Sequence, residues 1–375
     1  MKDNKIKIFH TGDFHLDSPF SGCNVKESDA RRAYLRDAFS AALARADGDG
    51  CDLILIAGDL FDCGYVTTET VKRAFRDIEK CGIPVVLTPG NHDPYRTGGI
   101  YDRTDKPKNL FVFTSPELSR LNLDSLPVSI HGYAFTSDRI DQPPVTTDKI
   151  DLHPTNINLL LAHADIYSPI SKYAPLGTQT LENSGFAYAA LGHVHKAEEP
   201  MICGKTTVSY CGFPEGRGFD ELGFGGAMEV TVDLASGKVD TERVTLSSRR
   251  YMIEPVDVTG AEATGDILSA IERTVKEKGY GSETSLRVIL TGSVSPELST
   301  EMRVDASSLG LAMLELEDAT SPVYDAELLK NDISLRGALY RRLLPALSSD
   351  DRRERAVAAE ALRLGLAALD GKQLL

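Results

Sequence analysis

The stretch Leu53-Ile-Leu-Ile-Ala-Gly-Asp59 decides the fold of this chain. Its apolar run, bounded by Asp52 and Gly58, predicts a strand that is buried on both faces, as in a parallel sheet. Asp59 then lies at the carboxyl end of that strand. Because ligands of open α/β sheets bind outside the carboxyl ends of the strands, we expect Asp59 to face a ligand crevice.

Four further apolar runs of the chain each lead to residue types that bind metals. A carboxylate has two oxygens and can bridge two cations, which a single imidazole nitrogen cannot do, so Asp59 is the expected hub of this pattern. The four runs are residues 5–9, before Asp13 and His15; 83–87, before Asn91 and His92; 158–162, before His163; and 188–191, before His193 and His195.

Helical patterns between the first runs predict an α/β fold. Ser28 is expected to cap a helix over residues 29–46, and Thr67 or Thr68 to start a second helix that stops at Gly82. The first three strands should therefore be parallel, with right-handed crossovers. Short strands and turns dominate the part that follows, which predicts two sheets face to face with helices outside.

The pattern of strand ends followed by metal-binding residue types stops near residue 250. Residues 1–250 are expected to form the main domain, 251–320 a small β-α-β-β unit, and 321–375 a helical C-terminal segment. The two amphipathic helices of that segment should either fold back on their own domain or bind a partner. Their expected apolar faces are Leu335, Leu339, Leu343 and Leu347 in the first helix, and Val357, Ala361, Leu364 and Ala368 in the second, which Ser349 should cap.

Length and composition indicate a soluble globular protein. The 375 residues correspond to about two domains, and the hydrophobic and charged fractions of 42% and 26% are ordinary. No apolar run reaches membrane-spanning length, the start of the chain resembles no signal peptide, and the six cysteines include no C-x-x-C pair, so we expect reduced thiols and a cytoplasmic location. The net charge of −14 argues mildly against a general polyanion binder.

The residues at the strand ends form a mixed oxygen and nitrogen set without sulfur. Such a set suits Mn, Fe or Zn better than Ca or a structural cysteine-zinc site. It has too many ligands for one ion, so two ions that share a carboxylate are the economical arrangement. In an extended segment, Asp13 and His15 would point the same way, as would His193 and His195. One histidine after an apolar run, such as His163, is more often structural, but the joint occurrence of five such ends favours a metal site.

The same residues resemble a known family. The family is the calcineurin-like metallophosphoesterases, whose signature the chain matches in order over residues 1 to about 235, so that residues 1–250 become the expected catalytic domain. Finer features resemble the SbcD-type DNA repair exonuclease branch, including Gly58-Asp-Leu-Phe-Asp62 and the segment from Gly212 to Gly223 that contains Glu221. The family signature is carried by Asp13-Phe-His15, Gly58-Asp59, Gly90-Asn-His-Asp93, His163 and Gly192-His-Val-His195.

The resemblance implies a role for each matched residue. One metal would be held by Asp13, His15 and His195. The other would be held by Asn91, His163 and His193, with Asp59 as the bridge. His92 would be the catalytic histidine, oriented by Asp93. Mn is the expected metal, with Fe and Zn as alternatives, and Asp62 replaces a second active-site histidine of archaeal and eukaryotic relatives.

The expected function is a dinuclear-metal phosphodiesterase that acts on DNA ends in repair, as an exonuclease or endonuclease subunit. The resemblance also implies an SbcC-type ATPase partner that docks on the helical segment, and a homodimer. The alternatives are a phosphoesterase for a small or nucleotide substrate and a regulatory scaffold for an ATPase, because one fold serves many functions. An enzyme that cleaves DNA should have basic residues around the opening of its metal site. The candidates are Arg31, Arg32, Arg36, Arg217, Arg249 and Arg250.

Overall fold

The structure is a computed structural model that describes residues 4–20, 24–102, 106–295, 298–300, 302–323 and 326–369. It divides into two compact units, Met1–Tyr251 and Met252–Leu375. Within the described residues, no helix has both the length and the apolar character needed to cross a membrane.

Among its described residues, the first unit contains two sheets and three α-helices. The helices are α1 (Val25–Gly48), α2 (Thr68–Cys81) and α3 (Thr178–Glu182). The strands are β1 (Lys5–Thr11), β2 (Leu53–Ile56), β3 (Val85–Leu87), β4 (Leu110–Val112), β5 (Ser119–Asn122), β6 (Val128–Gly132), β7 (Ile157–His163), β8 (Tyr188–Gly192), β9 (Met201–Cys203), β10 (Thr206–Tyr210), β11 (Gly223–Asp233) and β12 (Val239–Asp257), whose last residues pass into the second unit.

The strands of the first unit form two mixed sheets. One has the order β12-β11-β1-β2-β3-β4, in which β1 to β3 are parallel as predicted and β4 is parallel to β3 as well. The other has the order β5-β6-β7-β8-β10-β9, with β6, β7, β8 and β10 parallel and an antiparallel strand at each edge. Because parallel strands align, the carboxyl ends of β1, β2 and β3 meet at one edge, and those of β7 and β8 meet in the other sheet.

The alternation of side chains along β2 explains why its apolar run is continuous. Leu53 and Leu55 face the second sheet and pack with Leu159 and Leu161 of β7 in the core between the sheets. The alternate residues of β2 face the other way, into a core that α1 and α2 cover. Both faces of the strand are therefore buried, and the predicted sandwich with helices outside is confirmed.

Local signals set the helix ends, in one case differently from the prediction. Thr67, one of the two predicted starts of α2, caps it by accepting a hydrogen bond from the Thr70 amide, and Gly82 ends it in the left-handed region at φ 69° as predicted. Helix α1 begins earlier than predicted. Asn24, rather than Ser28, is its cap, because Asn24 and Glu27 form a reciprocal capping box. Ser28 lies buried in the first turn.

The second unit contains a small sheet and a helical end. Helix α4 (Thr264–Lys278) packs on the sheet formed by the end of β12, β13 (Thr284–Thr291) and β15 (Met313–Asp318), and the short strands β14 (Ser293–Val294) and β16 (Ser321–Pro322) pair separately. Helices α5 (Ala326–Asn331), α6 (Leu335–Leu347) and α7 (Arg352–Leu369) follow.

The apolar face predicted for the last helix is not the buried one. In α7 the buried residues are Ala358, Leu366 and Ala367, while Val357 is 64% exposed. Leu335, at the start of α6, is exposed as well. Helices α5, α6 and α7 form only a small core. A single face of α6 or α7 therefore cannot be buried along its whole length. The predicted stripes therefore lie partly on the surface.

Candidate metal centre

The predicted ligands converge at the carboxyl ends of the strands of the first unit. Asp13 and His15 follow β1, Asp59 follows β2, and Asn91 follows β3. The remaining ligands come from the second sheet, where His163 ends β7 and His193 and His195 follow β8. Hydrogen bonds join the two sheets here. The His193 amide donates to the Asp13 carboxylate at 3.0 Å, and His163 Nδ1 lies 3.0 Å from the Ala57 carbonyl oxygen.

Three overlapping groups of side chains at this edge could each hold a cation. They are Asp13, His15 and His195; Asp13, Asp59 and His163; and His15, Asp62 and His92. In the first group, His195 Nε2 lies 3.4 Å from Asp13 Oδ1 and 3.2 Å from His15 Nε2. The first two groups agree with the first predicted metal position and with part of the second, and the third matches neither.

Asp59 belongs to the group with His163 and also faces His15 of the first group. Its Oδ2 atom is 3.6 Å from His15 Nε2 and 3.4 Å from His163 Nε2. Its Oδ1 atom accepts a hydrogen bond from the His92 amide at 2.8 Å, which holds the carboxylate in place. The oxygen that faces both imidazoles is therefore the one expected to bridge two cations.

Asn91 and His193 complete the second group. Asn91 Oδ1 lies 2.9 Å from His163 Nε2, so it approaches the same nitrogen as Asp59 does. The His193 ring lies 5.1 Å from the His163 ring and 4.9 Å from the Tyr173 ring, measured between centroids. All seven predicted ligands thus lie in one cluster.

The backbone at the site adopts conformations that L-residues rarely take. Asp13, His15, Asp59 and His193 have φ values of 52°, 46°, 47° and 99°. Each such residue costs on the order of 1–3 kcal/mol, and strain of this kind concentrates at functional sites. The extended geometry predicted for the Asp13–His15 pair is therefore wrong. A tight left-handed turn, rather than strand alternation, brings the two side chains to the same position.

The distances between the ligands fit bound cations. Ligands about 2.0–2.2 Å from a tetrahedral ion lie about 3.4 Å from one another. The nitrogen and oxygen atoms around Asp13 and Asp59 are 3.2 to 3.6 Å apart, which matches that spacing. The donor set and its spacing suit divalent cations.

The pKa values of the histidines in the cluster also favour bound cations. Burial lowers the pKa of His163, but the Asp59 and Asp13 carboxylates outweigh burial and raise it to about 9. Burial likewise lowers the pKa of His195, and the carboxylates of Asp13 and Glu221 raise it to about 10. The buried carboxylates thus attract positive charge, which cations can supply in place of protons.

His92 lies at the rim of the cluster, and its side chain is 46% exposed. Its ring is 4.7 Å from the His15 ring, and its Nδ1 atom is 3.8 Å from Asp62 Oδ1. The Asp62 carboxylate raises the pKa of His92, which favours the protonated ring. The exposed ring is accessible to a substrate, and neither predicted metal position uses it, although it belongs to the third candidate group with His15 and Asp62.

Asp93 was predicted to orient His92, but its carboxylate binds other groups. Its Oδ1 atom accepts from the Gly90 amide at 2.7 Å, and its Oδ2 atom accepts from the Phe61 amide at 3.1 Å and from the Tyr101 hydroxyl. The fully buried Asp93 therefore joins the two loops that carry Asp59 and Asn91. Burial and the nearby Asp59 raise its pKa to about 6. The carboxylate beside the His92 ring is that of Asp62, which the sequence marked only as a branch difference.

The predicted basic residues are largely engaged with protein groups. Arg36 binds Asp17 at 2.5 Å, Arg32 binds Asp29 at 3.1 Å, and the Arg249 guanidinium lies 3.7 Å from the centroid of the Tyr34 ring. Arg217 binds Glu221 beside His195. Glu221 was missed as a site residue, although the segment from Gly212 to Gly223 had been singled out by its resemblance.

Comparison with known proteins identifies a family and a relative of this chain. Residues 6–197 match the family described as calcineurin-like phosphoesterase. The chain is 28% identical over 312 residues to the uncharacterized metallophosphoesterase YhaO of Bacillus subtilis, covering 78% of this chain and 73% of that one.

Two solved phosphoesterase structures match part of this chain at low sequence identity. A dimetal phosphatase from Danio rerio is 9% identical with a TM-score of 0.40, covering 64% of this chain and 99% of that one. The phosphoesterase Yfce from E. coli is 13% identical with a TM-score of 0.29, covering 64% of this chain and 100% of that one. The family match spans more than half of the chain and contains all seven converging ligands, so this protein belongs to the calcineurin-like phosphoesterase family.

Proposed function

We propose that this metallophosphoesterase is a phosphodiesterase with two metal ions that cleaves DNA ends, as an SbcD-type nuclease does. The observation that carries the proposal is the position of Asp59 Oδ2 between His15 and His163, at 3.6 and 3.4 Å. Phosphodiester cleavage needs charge stabilisation at both the attacking and the leaving oxygen, which two adjacent cations provide.

Each residue of the cluster then has a defined task. Asp13, His15 and His195 would hold one cation, and Asn91, His163 and His193 the other, with Asp59 shared. When bound, the two cations polarise the phosphate and lower the pKa of water, so that a nucleophile is present at neutral pH. The chain itself positions these ligands through inter-sheet bonds and left-handed turns, so little reorganisation is needed during the reaction.

His92 would act on the leaving oxygen. Its amide holds Asp59, while its half-exposed ring extends from the rim of the cluster. Asp62, next to Nδ1, favours the protonated imidazole, which leaves Nε2–H to donate a proton as the phosphorus–oxygen bond breaks. His92→Ala should therefore retain both cations but lose turnover, by about the 10²- to 10⁴-fold that a general acid contributes.

Two features support DNA ends as the substrate. The segments around Asp62 and Glu221 resemble the SbcD-type branch. The Arg249 guanidinium, stacked on Tyr34, provides a positive charge of the kind that binds phosphates. The net charge of −14 and the ion pairs of Arg32 and Arg36 favour a second candidate, a phosphodiesterase for a small or nucleotide substrate.

The test compares three substrates with the Mn-loaded protein: linear duplex DNA, covalently closed duplex DNA and an aryl phosphodiester. Loss of the linear DNA alone, abolished in His92→Ala, would support end-directed nuclease activity. Turnover of only the aryl ester, again lost in His92→Ala, would favour the small-substrate candidate. Absence of all three activities in a protein that holds two cations would refute the proposal and favour a scaffold role.

We also propose that the helical segment docks an SbcC-type ATPase. A groove of about 390 Å³ between α6 and α7 is lined in part by Leu343, Ala346 and Val357. Val357→Asp should abolish binding of a purified ATPase of this type in size-exclusion chromatography. Ile202→Asp, a change of another exposed apolar residue in the first unit, should leave binding intact. Equal binding by wild type and Val357→Asp would refute this docking site.

A further inference from the structure

A buried ion pair lies behind one ligand of the cluster. Glu221 precedes β11, and its side chain is 1% exposed. Its Oε2 atom accepts from the Arg217 amide at 2.7 Å, and its Oε1 atom accepts from Arg217 Nη2 at 2.6 Å. The same Oε1 atom lies 2.8 Å from His195 Nδ1. The Glu221 carboxylate is thus held on one side by Arg217 and contacts a predicted ligand on the other.

The chemistry of these groups determines the direction of the His195 hydrogen bond. His195 Nδ1 lies within reach of both Arg217 Nη2, at 2.9 Å, and Glu221 Oε1. A guanidinium can only donate and a carboxylate can only accept. Arg217 Nη2 already donates to Glu221, so the favourable arrangement is one in which His195 Nδ1–H donates to Glu221. His195 Nε2 then faces Asp13 and His15 with a lone pair.

We infer that Glu221, held by Arg217, is a positioning residue that turns the His195 Nε2 lone pair toward the cation position formed with Asp13 and His15, and so sets the affinity of that position. The inference rests on the proposed two-metal function. A carboxylate that accepts from the far nitrogen of a ligating imidazole fixes the ring and makes it a stronger ligand.

The two cation positions differ in this respect. His163, in the other group, contacts a backbone carbonyl oxygen, that of Ala57, through Nδ1 at 3.0 Å. A neutral carbonyl group polarises an imidazole less than a buried carboxylate does. A change at Glu221 should therefore weaken one position and spare the other, which an ion pair with a merely structural role would not do.

The experiment is a Mn²⁺ titration of the metal-stripped full-length protein, with free Mn²⁺ counted by electron paramagnetic resonance. Wild type should bind two ions. Glu221→Gln should bind one of them about 10- to 100-fold more weakly, the usual effect of losing such a partner, and the other as wild type does. Unchanged affinity at both positions, or an equal loss at both, would overturn the inference.

A matched control separates positioning from stability. Glu229 is also a buried carboxylate in an ion pair, with Lys7 at 2.6 Å, but it contacts none of the predicted ligands among the described residues. Glu229→Gln should keep both Mn²⁺ affinities. Loss at one position in both variants would show that buried ion pairs affect binding only through stability, and would overturn the inference.

A second measurement does not depend on how the variant folds. In the Zn-loaded wild type, nuclear magnetic resonance should show His195 coordinated through Nε2, with a downfield Nδ1 proton bonded to Glu221. Coordination through Nδ1 would overturn the inference. A wild type that binds fewer than two ions would instead refute the proposed function, so the two failures are distinguishable.

Discussion

Gly90→Ala tests whether the close packing around Asp59 is required for cation binding. A Cβ atom at this position would lie 2.7 Å from the Asp59 amide nitrogen and 2.8 Å from its Cγ atom, and closer still to Oδ1. Ordinary contacts begin at 3.4 Å, so Cγ would have to move by about 0.6 Å and Oδ1 by more than that. Ligand distances in metal sites vary by only about 0.2 Å, so such a shift removes the carboxylate from its position.

The expected result is a large loss of cation binding with a modest loss of stability. Mn²⁺ affinity should fall at both positions by more than about 100-fold, because the proposed function makes Asp59 a ligand of both ions rather than an outer partner. The free energy of unfolding without metal should fall by about 1–3 kcal/mol, the usual cost of overpacking. Titration with Mn²⁺ and urea unfolding in EDTA measure the two effects.

A nearby glycine provides the control. A Cβ atom at Gly64 would meet no atom within 4 Å, so Gly64→Ala should bind both ions normally. If Gly90→Ala binds two Mn²⁺ ions as tightly as wild type does, the argument that Asp59 is held in a bridging position by close packing is refuted.

Three further predictions follow from the structure. Burial lowers the pKa of His10 to about 3, against about 6.5 in an unfolded chain. Between these two pH values the unfolded state therefore binds more protons than the folded state does. Wild type should accordingly lose about 2 kcal/mol more stability than His10→Gln between pH 7 and pH 5, as measured by urea unfolding. Asp59→Asn should lose both cations while His92→Ala keeps them, and full occupancy of Asp59→Asn by elemental analysis would contradict the bridging role. At Gly192, a Cβ atom would lie 2.9 Å from the Ala57 carbonyl carbon, so Gly192→Ala should force the two sheets apart and cost about 1–3 kcal/mol in the same unfolding assay; an unchanged unfolding midpoint would contradict this close approach.

The sequence was most informative where a signal is local. The cap at Thr67 and the stop at Gly82 were predicted because a side-chain oxygen and a left-handed glycine act on the nearest turn. The cap of α1 was misplaced, because Ser28 and Asn24 are both good caps. Only the reciprocal bond with Glu27 selects Asn24.

The ligands could be assembled from the sequence because strand topology brings them together. Residues that follow parallel strands share one edge of a sheet, so an apolar run that ends in Asp59 or His163 places its ligand without any side-chain detail. The conformation of those ends was not predictable in the same way. The positive φ values of Asp13 and His15 arise from bonds to the loop after β2, such as the Asp13 amide to the Gly58 carbonyl oxygen at 3.0 Å.

The sequence by itself therefore determined the family, the layered α/β fold and the set of candidate ligands, since apolar periodicity and residue type at strand ends encode them. Only the tertiary structure decided which carboxylate serves which histidine: Asp62 lies beside His92, and Glu221 beside His195. The physical reason is that a hydrogen bond needs a few tenths of an ångström of accuracy, and such accuracy comes from packing between segments far apart in the chain.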